Sequence, residues 1–346
     1  MSRHNYYVKV LIAVGLFLAG QTLMSWRSLM QLGEDKMSLE AETQMLERKR
    51  DNLIAKIHEL ERSKHRLALQ EDKLDLQVRD LLPLNKERLH LPFIFFITPT
   101  KKRPAQKADL VRLLQTLSYV PNLIWIIVED SESQSASLDD LVKTSKVKVI
   151  HLNAETPENM RMTDKDPNWK KPRGVIQRNT ALEWIRTNYM SLKKGIVYFG
   201  DDDNVYSWEL FDEMRKIKKV GIWPVGLVGG QLVETAVVQD GKVLAFNASW
   251  KNSRPFPIDM AGFAINITLL HDFPKAEFSF EVPRGYQESH FLSGLNLTRS
   301  SLEPLADYCT RVLVWHTRTE KTKLQKTDYI RFGNKKLTDL EKSAVI

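Results

Sequence analysis

Cysteine is almost absent from this sequence: Cys309 is the only one among 346 residues. A single cysteine excludes an intrachain disulfide, so we expect a buried free thiol, with an intermolecular bridge as the alternative. The sequence also lacks internal repeats and low-complexity segments. The formal charge is +8, but Lys and Arg do not cluster in a nucleic-acid-binding motif. We therefore expect no nucleic-acid partner.

Only one hydrophobic run, residues 10–26, is long enough to cross a membrane, and it lies at the short end for a spanning helix. A short span suits the thinner bilayers of the early secretory pathway. Basic residues precede the run, which predicts a cytoplasmic tail at residues 1–9 and a type II transmembrane signal-anchor. The alternative is a cleaved signal peptide, with Leu18-Ala19-Gly20 as the candidate cleavage site.

Residues 27–91 are predicted to form a helical stem, because they are rich in Glu, Lys, Arg, Gln and Leu. Leucine recurs with the heptad spacing of a coiled coil, at Leu32, Leu39, Leu46, Leu53, Leu60, Leu67, Leu74 and Leu81. Most companion core positions are polar, so the pattern predicts a weak dimeric seam. The alternative is a single charged helix that acts as a spacer. Pro83 and Pro92 bracket the end of this stem.

Beyond the stem, hydrophobic periodicity alternates between strands and helices. Buried strands are predicted at 93–97, 123–128, 147–152 and 196–199, and helices at 109–117 and 179–189. This alternation predicts a mostly parallel sheet with helices on both faces. The pattern becomes irregular after Gly230, with short strands such as 242–246. We therefore divide the folded part into residues 92–230 and residues 231–346.

Three consecutive carboxylates, Asp201, Asp202 and Asp203, follow the predicted strand at 196–199. Adjacent like charges repel one another and are costly to bury unpaired. A divalent cation would relieve both costs, and hard oxygen ligands suit Mg²⁺ or Mn²⁺ bound with substrate phosphates. Because ligands of open α/β sheets bind at the carboxyl ends of the strands, the cluster indicates a nucleotide site. The alternative is a solvated acidic turn.

Three glycosylation sequons begin at Asn247, Asn266 and Asn296. Asn266 lies in an apolar run, so we expect it to be buried and unmodified. The sequons are compatible with a lumenal domain.

With these features in view, the chain resembles the β-1,3-glucuronyltransferases, glycosyltransferase family 43, which add glucuronic acid to galactose-ended glycans in the Golgi. The resemblance covers about residues 93 to 321 in family order. The matching blocks are Thr98-Pro99-Thr100, Val128-Glu129-Asp130, Pro172-Arg173-Gly174, Gln177-Arg178-Asn179, Tyr198-Phe199-Gly200-Asp201-Asp202-Asp203-Asn204, Trp223-Pro224-Val225-Gly226-Leu227-Val228-Gly229-Gly230, Arg254-Pro255-Phe256-Pro257-Ile258-Asp259-Met260-Ala261-Gly262-Phe263, Gln287-Glu288-Ser289 and Trp315-His316-Thr317-Arg318-Thr319-Glu320-Lys321.

The resemblance implies a GT-A fold, in which a Rossmann-like UDP-sugar-binding half (92–230) joins an acceptor-binding half with a C-terminal tail (231–346). It implies an inverting transfer of glucuronic acid from UDP-glucuronic acid to the 3-OH of a terminal galactose, with Mn²⁺. The Gal-Gal-Xyl linker of proteoglycans is the favoured acceptor, and N-acetyllactosamine ends are the alternative. The family also implies a homodimer, anchored in the Golgi membrane with its catalytic domain in the lumen.

The resemblance assigns roles to individual residues. Glu288 is the expected general base and Asp203 the direct metal ligand. The expected donor-binding residues are Pro99, Thr100, Lys101, Asp130, Arg173, Arg178, Asp201, Asp202, Asp203, His316, Thr317 and Arg318. The expected acceptor-binding residues are Glu234, Trp250, Arg254 and Asp259.

Lys101 departs from the family, which usually has a tyrosine there to stack on uracil. Its presence leaves a different UDP-sugar donor as an alternative. A third hypothesis is a catalytically silent lumenal scaffold that dimerises through the stem, although the intact carboxylates argue against it.

Overall fold

The computed structural model describes residues 3–81, 90–162, 166–167, 170–334 and 336–345. Two compact units divide the chain, Met1–Leu84 and Asn85–Ile346. Pro83, predicted near the end of the stem, lies outside the described residues.

The N-terminal unit contains one helix, α1, from Arg3 to Leu81. It includes a segment near the N-terminus that is long and apolar enough to cross a membrane, by length and composition. This apolar helix fits the predicted anchor at 10–26, while the orientation of the anchor stays a prediction. The heptad leucines from Leu32 to Leu67 are exposed along α1. Pairing of two such helices in a coiled coil also stays a prediction.

The second unit alternates strands and helices, with the following bounds. They are β1 Phe93–Thr100, α2 Gln106–Leu117, β2 Leu123–Glu129, α3 Ala136–Thr144, β3 Lys148–Asn153, α4 Val175–Asn188, β4 Gly195–Phe199, β5 Val205–Tyr206, α5 Glu209–Met214, β6 Val220–Ile222, β7 Val225–Gly226, β8 Val233–Gln239, β9 Lys242–Asn247, β10 Phe263–Asn266, α6 Thr268–Asp272, α7 Gln287–Gly294, β11 Leu302–Pro304, α8 Leu305–Cys309, β12 Val314–Trp315, α9 Lys326–Gly333 and α10 Asp339–Val345.

Seven strands form the main sheet, in the order β11-β6-β10-β4-β1-β2-β3. The strands β4, β1, β2 and β3 are parallel, as the sequence predicts, whereas β10 runs antiparallel between β4 and β6. The predicted mixed α/β class is therefore confirmed. Strands β10 and β11 come from the predicted acceptor half, so both halves contribute to one sheet.

Both faces of the main sheet are buried, as expected for strands covered by helices on each side. Along β1, Phe95 packs in the cluster that includes α4, while Phe96 packs with Trp125 and Tyr198 on the opposite face. In the sheet, β2 lies on one side of β1 and β4 lies on the other side. The order of the strands reverses at β1, and this leaves a crevice at the carboxyl ends of β1 and β4, where ligands of such sheets bind.

A smaller sheet has the order β5-β12-β7-β8-β9. It brings the C-terminal strand β12 beside β5, with Trp315 opposite Val205, and beside β7, with Trp315 opposite Gly226. A Cβ at Gly226 would lie 2.4 Å from the Trp315 ring, so glycine is required for this close approach. The sheet thereby carries the segment after Trp315 to the carboxylate cluster that follows β4.

Cys309 is buried and free, as predicted, and burial raises the pKa of its thiol to about 12. It ends α8, where the backbone is left-handed at Ala306, Asp307, Tyr308 and Cys309, with φ from +50 to +64°. Asn247 and Asn296 are exposed, whereas Asn266 is half-buried rather than buried. Its Oδ1 accepts hydrogen bonds from the amide and hydroxyl of Thr268.

Candidate active site

The three carboxylates after β4 occupy three different environments. Gly200 allows the chain to turn there, because a Cβ at this position would lie 2.0 Å from the Phe96 ring. Asp202 is buried, accepts a 2.6 Å hydrogen bond from Thr100 Oγ1, and is held at 2.8 Å by both guanidinium nitrogens of Arg103. Burial raises the pKa of Asp202, and Arg103 opposes that shift. This carboxylate is therefore fully occupied by protein donors.

Asp201 pairs with Arg178, whose Nη2 lies 2.7 Å from its Oδ1. Arg178 is buried on α4, and its Nη1 donates to the carbonyl of Arg173 at 3.0 Å. Gly174 begins this turn with φ +69°, and a Cβ there would lie 2.5 Å from Arg178 Nη1. The two arginines thus flank the N-terminus of α4, as predicted, with Arg173 exposed and Arg178 buried.

Asp203 makes no ion pair with any residue that the structure describes. Its Oδ2 accepts one long hydrogen bond, 3.3 Å, from the amide of Thr319. Its carbonyl accepts hydrogen bonds from Thr317 Oγ1 and Arg112 Nη2. Asp203 is therefore the carboxylate of the three that has room for a hard cation.

The surroundings of Asp203 fit a metal held mainly by substrate. The described residues contain no group of three or more His, Cys, Asp or Glu that could enclose an ion. Mg²⁺-type ions in phosphate-transferring sites are often held by one or two carboxylates together with phosphates and water. A single free carboxylate beside a nucleotide crevice matches that arrangement.

The predicted uracil site lies at the ends of β1 and β2. Asp130 Oδ1 accepts a 2.8 Å hydrogen bond from the amide of Thr156, and Lys101 Nζ lies 3.9 Å from Asp130 Oδ2. Pro99 and Thr100 are the last residues of β1, next to the loop that carries Lys101. Lys101, which stands where the family usually has a tyrosine, is mostly exposed. It is close enough to interact with Asp130, the carboxylate assigned to uracil.

On the opposite side of the site, α7 carries Glu288 in its first turn. Burial, and then the nearby charge of Asp259, raise the pKa of Glu288 to about 7. Arg254 Nη1 lies 3.9 Å from Glu288 Oε2, too far for a direct hydrogen bond. A carboxyl group with a pKa near neutrality and no tight partner is suited to accept a proton from a substrate hydroxyl.

Arg254 is buried and donates to three backbone carbonyls, those of Gly285 (2.6 Å), Trp250 (3.1 Å) and Lys251 (3.3 Å). It therefore joins the loop before α7 to the loop after β9. Gly285 has φ +78°, and a Cβ there would lie 2.6 Å from Trp250 Nε1. Trp250 is 39% exposed, and the guanidinium of Arg284 lies over its ring, 4.5 Å from the ring centre.

Asp259 and His316 form an ion pair, with Asp259 Oδ2 3.2 Å from His316 Nδ1. Burial alone would raise the pKa of Asp259, but the ion pair with His316 outweighs it and lowers that pKa. The same ion pair raises the pKa of His316. The resemblance assigned His316 to the donor and Asp259 to the acceptor, and the structure brings the two side chains together.

Glu234 is buried, and burial together with the charge of Asp259 raises the pKa of its carboxyl group. Gly229 lies against it with φ +63°, and a Cβ there would meet Glu234 Oε1 at 2.1 Å. The second glycine of the pair, Gly230, has nothing within 4 Å of its added Cβ. Only one of these two glycines is therefore required by packing.

Arg103, Arg112 and Thr319 contact Asp202 or Asp203, and together with Asp109 they were given no role by the sequence analysis. Asp109 is buried and accepts hydrogen bonds from the other three. Thr319 lies in a matched block, and Arg103 follows Thr100 by three positions. The sequence offered no signal that these side chains meet, since the contacts depend on how β12 is placed.

Comparisons with known proteins identify the family of this chain. The family model described as Glycosyltransferase family 43 matches residues 113–320. The galactosylgalactosylxylosylprotein 3-beta-glucuronosyltransferase sqv-8 of Caenorhabditis elegans is 49% identical over 333 residues, which are 96% of this chain and 94% of that protein. The human galactosylgalactosylxylosylprotein 3-beta-glucuronosyltransferase 3 is 49% identical over 251 residues, 70% of this chain and 75% of that protein.

Among solved structures, the Staphylococcus aureus protein TarS (residues 1–349) in complex with UDP-GlcNAc matches with a TM-score of 0.42 and 16% identity, covering 69% of this chain and 64% of that one. The full-length relatives and the matched family model define the chain as a glycosyltransferase. It belongs to glycosyltransferase family 43.

Proposed function

We propose that this enzyme transfers glucuronic acid from UDP-glucuronic acid to the 3-OH of the terminal galactose of the Gal-Gal-Xyl proteoglycan linker. Support comes from relatives named for this transfer that align over 96% and 70% of this chain. Glu288 is the observation in the structure that carries the proposal. A glycosyl transfer to a sugar hydroxyl needs a base on the acceptor side, and Glu288 has the environment and the pKa for it.

In the proposed reaction, Glu288 accepts the proton of the acceptor 3-OH as that oxygen attacks the anomeric carbon. The bond from this carbon to the diphosphate breaks on the opposite face, UDP leaves with the electron pair, and the configuration inverts. Asp203 would hold Mn²⁺, which when bound supplies positive charge to the departing diphosphate. Arg318 adds positive charge on the protein side, and the raised pKa of His316 favours its charged form there.

The remaining residues orient the two substrates. Arg178 and Arg173 lie where a guanidinium could bind the glucuronate carboxylate, a pairing that suits the planar fork of arginine. In this proposal Asp130 and Lys101 contact the uracil of UDP, and Asp201 and Asp202 contact the donor sugar and the ribose. Glu234, Asp259 and Trp250 surround the acceptor galactose with carboxylates and one aromatic face.

The N-acetyllactosamine alternative is not favoured, because the aligned relatives are named for the linker acceptor. The silent-scaffold hypothesis is set aside by membership of an enzyme family and by the intact carboxylates. We retain the Golgi location, the type II orientation and the homodimer as part of the proposal. The exposed helix α1, with its apolar N-terminal segment, supports membrane attachment.

The test is a transfer assay on the purified full-length chain in detergent. UDP-glucuronic acid, UDP-glucose, UDP-galactose and UDP-GlcNAc are each offered with Gal-Gal-Xyl or N-acetyllactosamine, with Mn²⁺ or EDTA. We expect turnover with UDP-glucuronic acid, Gal-Gal-Xyl and Mn²⁺, and loss of turnover in EDTA. Preference for another donor would move the proposal to the alternative suggested by Lys101, and preference for N-acetyllactosamine would overturn the acceptor.

A further inference from the structure

Asp109 is a buried carboxylate that the proposed reaction does not use. It lies in the first turn of α2 and is 3% exposed. Its Oδ2 accepts from Arg103 Nη2 at 2.7 Å, and its Oδ1 accepts from Arg112 Nη2 at 3.2 Å and from Thr319 Oγ1 at 2.7 Å. One carboxylate therefore joins the loop after β1, the helix α2 and the segment after β12.

Each partner of Asp109 also contacts Asp202 or Asp203, through the carboxylate or the backbone carbonyl. Arg103 holds both oxygens of Asp202 at 2.8 Å. Burial alone would lower the pKa of Arg103, but its bonds to Asp202 and Asp109 outweigh burial and raise it, so the guanidinium stays charged. Asp109 is thus connected to Asp202 through a charged and partly buried arginine.

The connection to Asp203 is made twice. The amide of Thr319 donates to Asp203 Oδ2 at 3.3 Å while its hydroxyl donates to Asp109. Arg112 Nη2 donates to the carbonyl of Asp203 at 3.3 Å while it also pairs with Asp109. The segment that contains Thr319 also contains Arg318 and Thr317. The segment is held over Asp203 by the hydrogen bonds of Thr317 and Thr319 to Asp203 and by that of Thr319 to Asp109.

We propose that Asp109 is a positioning residue that fixes the segment Thr317–Thr319 over Asp203, through Thr319, Arg103 and Arg112. This inference rests on the proposed function, in which Asp203 and that segment hold UDP and the metal. Asp109 contacts neither substrate in this account. It acts by holding the donors of the segment in place before the diphosphate arrives, which lowers the ordering cost of binding.

Loss of the charge at position 109 should weaken UDP binding rather than the proton transfer. Asp109→Asn leaves Arg112 without its carboxylate partner, leaves Arg103 paired with Asp202 alone, and weakens the acceptor for Thr319. Hydrogen bonds to charged groups contribute enough that about a tenfold weakening of UDP affinity in Mn²⁺ is expected. The KM for the donor should rise similarly, while kcat at saturating donor should fall by less than about threefold, since Glu288 is untouched.

Calorimetry of UDP in Mn²⁺, on the full-length chain in detergent, tests the inference without relying on turnover. Asp109→Asn is compared with Asp109→Glu, which keeps the charge and should recover part of the affinity. Thr319→Val removes only the hydroxyl that reaches Asp109 and should weaken UDP binding in the same direction. The control is Asp212→Asn, the same change at an exposed carboxylate on α5 that pairs at 3.5 Å with the buried Arg215, and it should bind UDP normally.

A double variant completes the design, because Asp109 and Thr319 are proposed to act through one contact. Asp109→Asn combined with Thr319→Val should lose less affinity than the product of the two single losses. Wild-type affinity in a folded Thr319→Val variant, or losses that multiply in the double variant, would overturn the inference. If Asp109→Asn does not fold, Thr319→Val alone decides. A wild-type chain that bound no UDP with Mn²⁺ would instead contradict the proposed function.

Discussion

Replacement of Glu288 by glutamine tests the proposed base with the least change in shape. The amide keeps the size of the side chain and most of its hydrogen bonds, but it cannot accept a proton near neutral pH. Loss of a positioned general base typically costs between about 10² and 10⁴ in rate. We expect kcat of Glu288→Gln to fall by at least about 10²-fold, equivalent to about 2.7 kcal/mol of activation free energy.

The assay measures kcat and KM for both substrates, together with UDP affinity in Mn²⁺. UDP affinity should be unchanged, because Glu288 lies on the acceptor side. Glu281→Gln is the matched control, since Glu281 is exposed in the loop before α7. A near-normal kcat with a large rise in acceptor KM would refute the base assignment and leave Glu288 as an acceptor-binding residue.

The pKa of Glu288 predicts how the activity and the stability of the enzyme depend on pH. In the wild type kcat/KM should rise with pH and level off above the pKa of about 7, since the base must be ionised. The folded chain binds this proton more tightly than the unfolded chain, whose carboxyl group has the ordinary pKa of 4.5. The stability that this contributes is therefore complete below pH 4.5 and is lost as pH rises through 7.

Ionisation of Glu288 should therefore destabilise the fold at pH 8, by at most about 3 kcal/mol. Because 15% of the Glu288 side chain is exposed, the loss of folding free energy at pH 8 should be smaller than this upper limit. Glu288→Gln should accordingly raise the melting temperature at pH 8 and have little effect at pH 4. An unchanged melting temperature at both pH values would show that Glu288 is less buried than the structure indicates.

Three further predictions concern the metal ligand, the N-terminal unit and one glycine. Asp203→Ala should abolish transfer and the Mn²⁺ dependence of UDP binding, and calorimetry that showed wild-type binding would remove Asp203 from the metal site. Deletion of residues 1–75 should release a soluble and active enzyme, because the unit Asn85–Ile346 contains every site residue; a folded truncation without turnover would give the stem a further role. Gly229→Ala should raise acceptor KM and lower the melting temperature more than Gly230→Ala, since both have positive φ but only Gly229 would clash with Glu234. Equal effects of the two alanines would mean that Glu234 does not depend on Gly229.

Hydrophobic periodicity was enough to predict the parallel part of the sheet, because strands such as Ile94–Ile97 are continuously buried and separated by amphipathic helices. It could not predict that β10 inserts antiparallel beside β4, since a four-residue strand carries no orientation signal of its own. The position of Asp201–Asp203 at the sheet edge followed from the abrupt end of β4. Their division into two arginine-bound carboxylates and one free carboxylate could not be predicted, because Arg103 comes from the loop after β1 and Arg178 from helix α4.

The contacts and pKa shifts of the site residues also could not be predicted from the sequence. Glu288 was identified from its family block alone, and its raised pKa comes from burial and from Asp259, which a sequence does not report. The pair of His316 with Asp259 joins residues that were assigned to different substrates. The role of Asp109 could not be predicted, since its contact with Thr319 spans 210 residues of sequence. Long-range contacts of this kind depend on the placement of the whole sheet.

Product analysis by NMR is the most direct test of the central claim, an inverting transfer of glucuronic acid. The full-length chain is incubated with UDP-glucuronic acid, Mn²⁺ and Gal-Gal-Xyl, and the linkage of the new sugar is determined. The account predicts a glucuronic acid in β configuration on the 3-OH of the terminal galactose, formed from the α-linked donor. A product with retained α configuration, a different linkage position, or hydrolysis of the donor without transfer would contradict it.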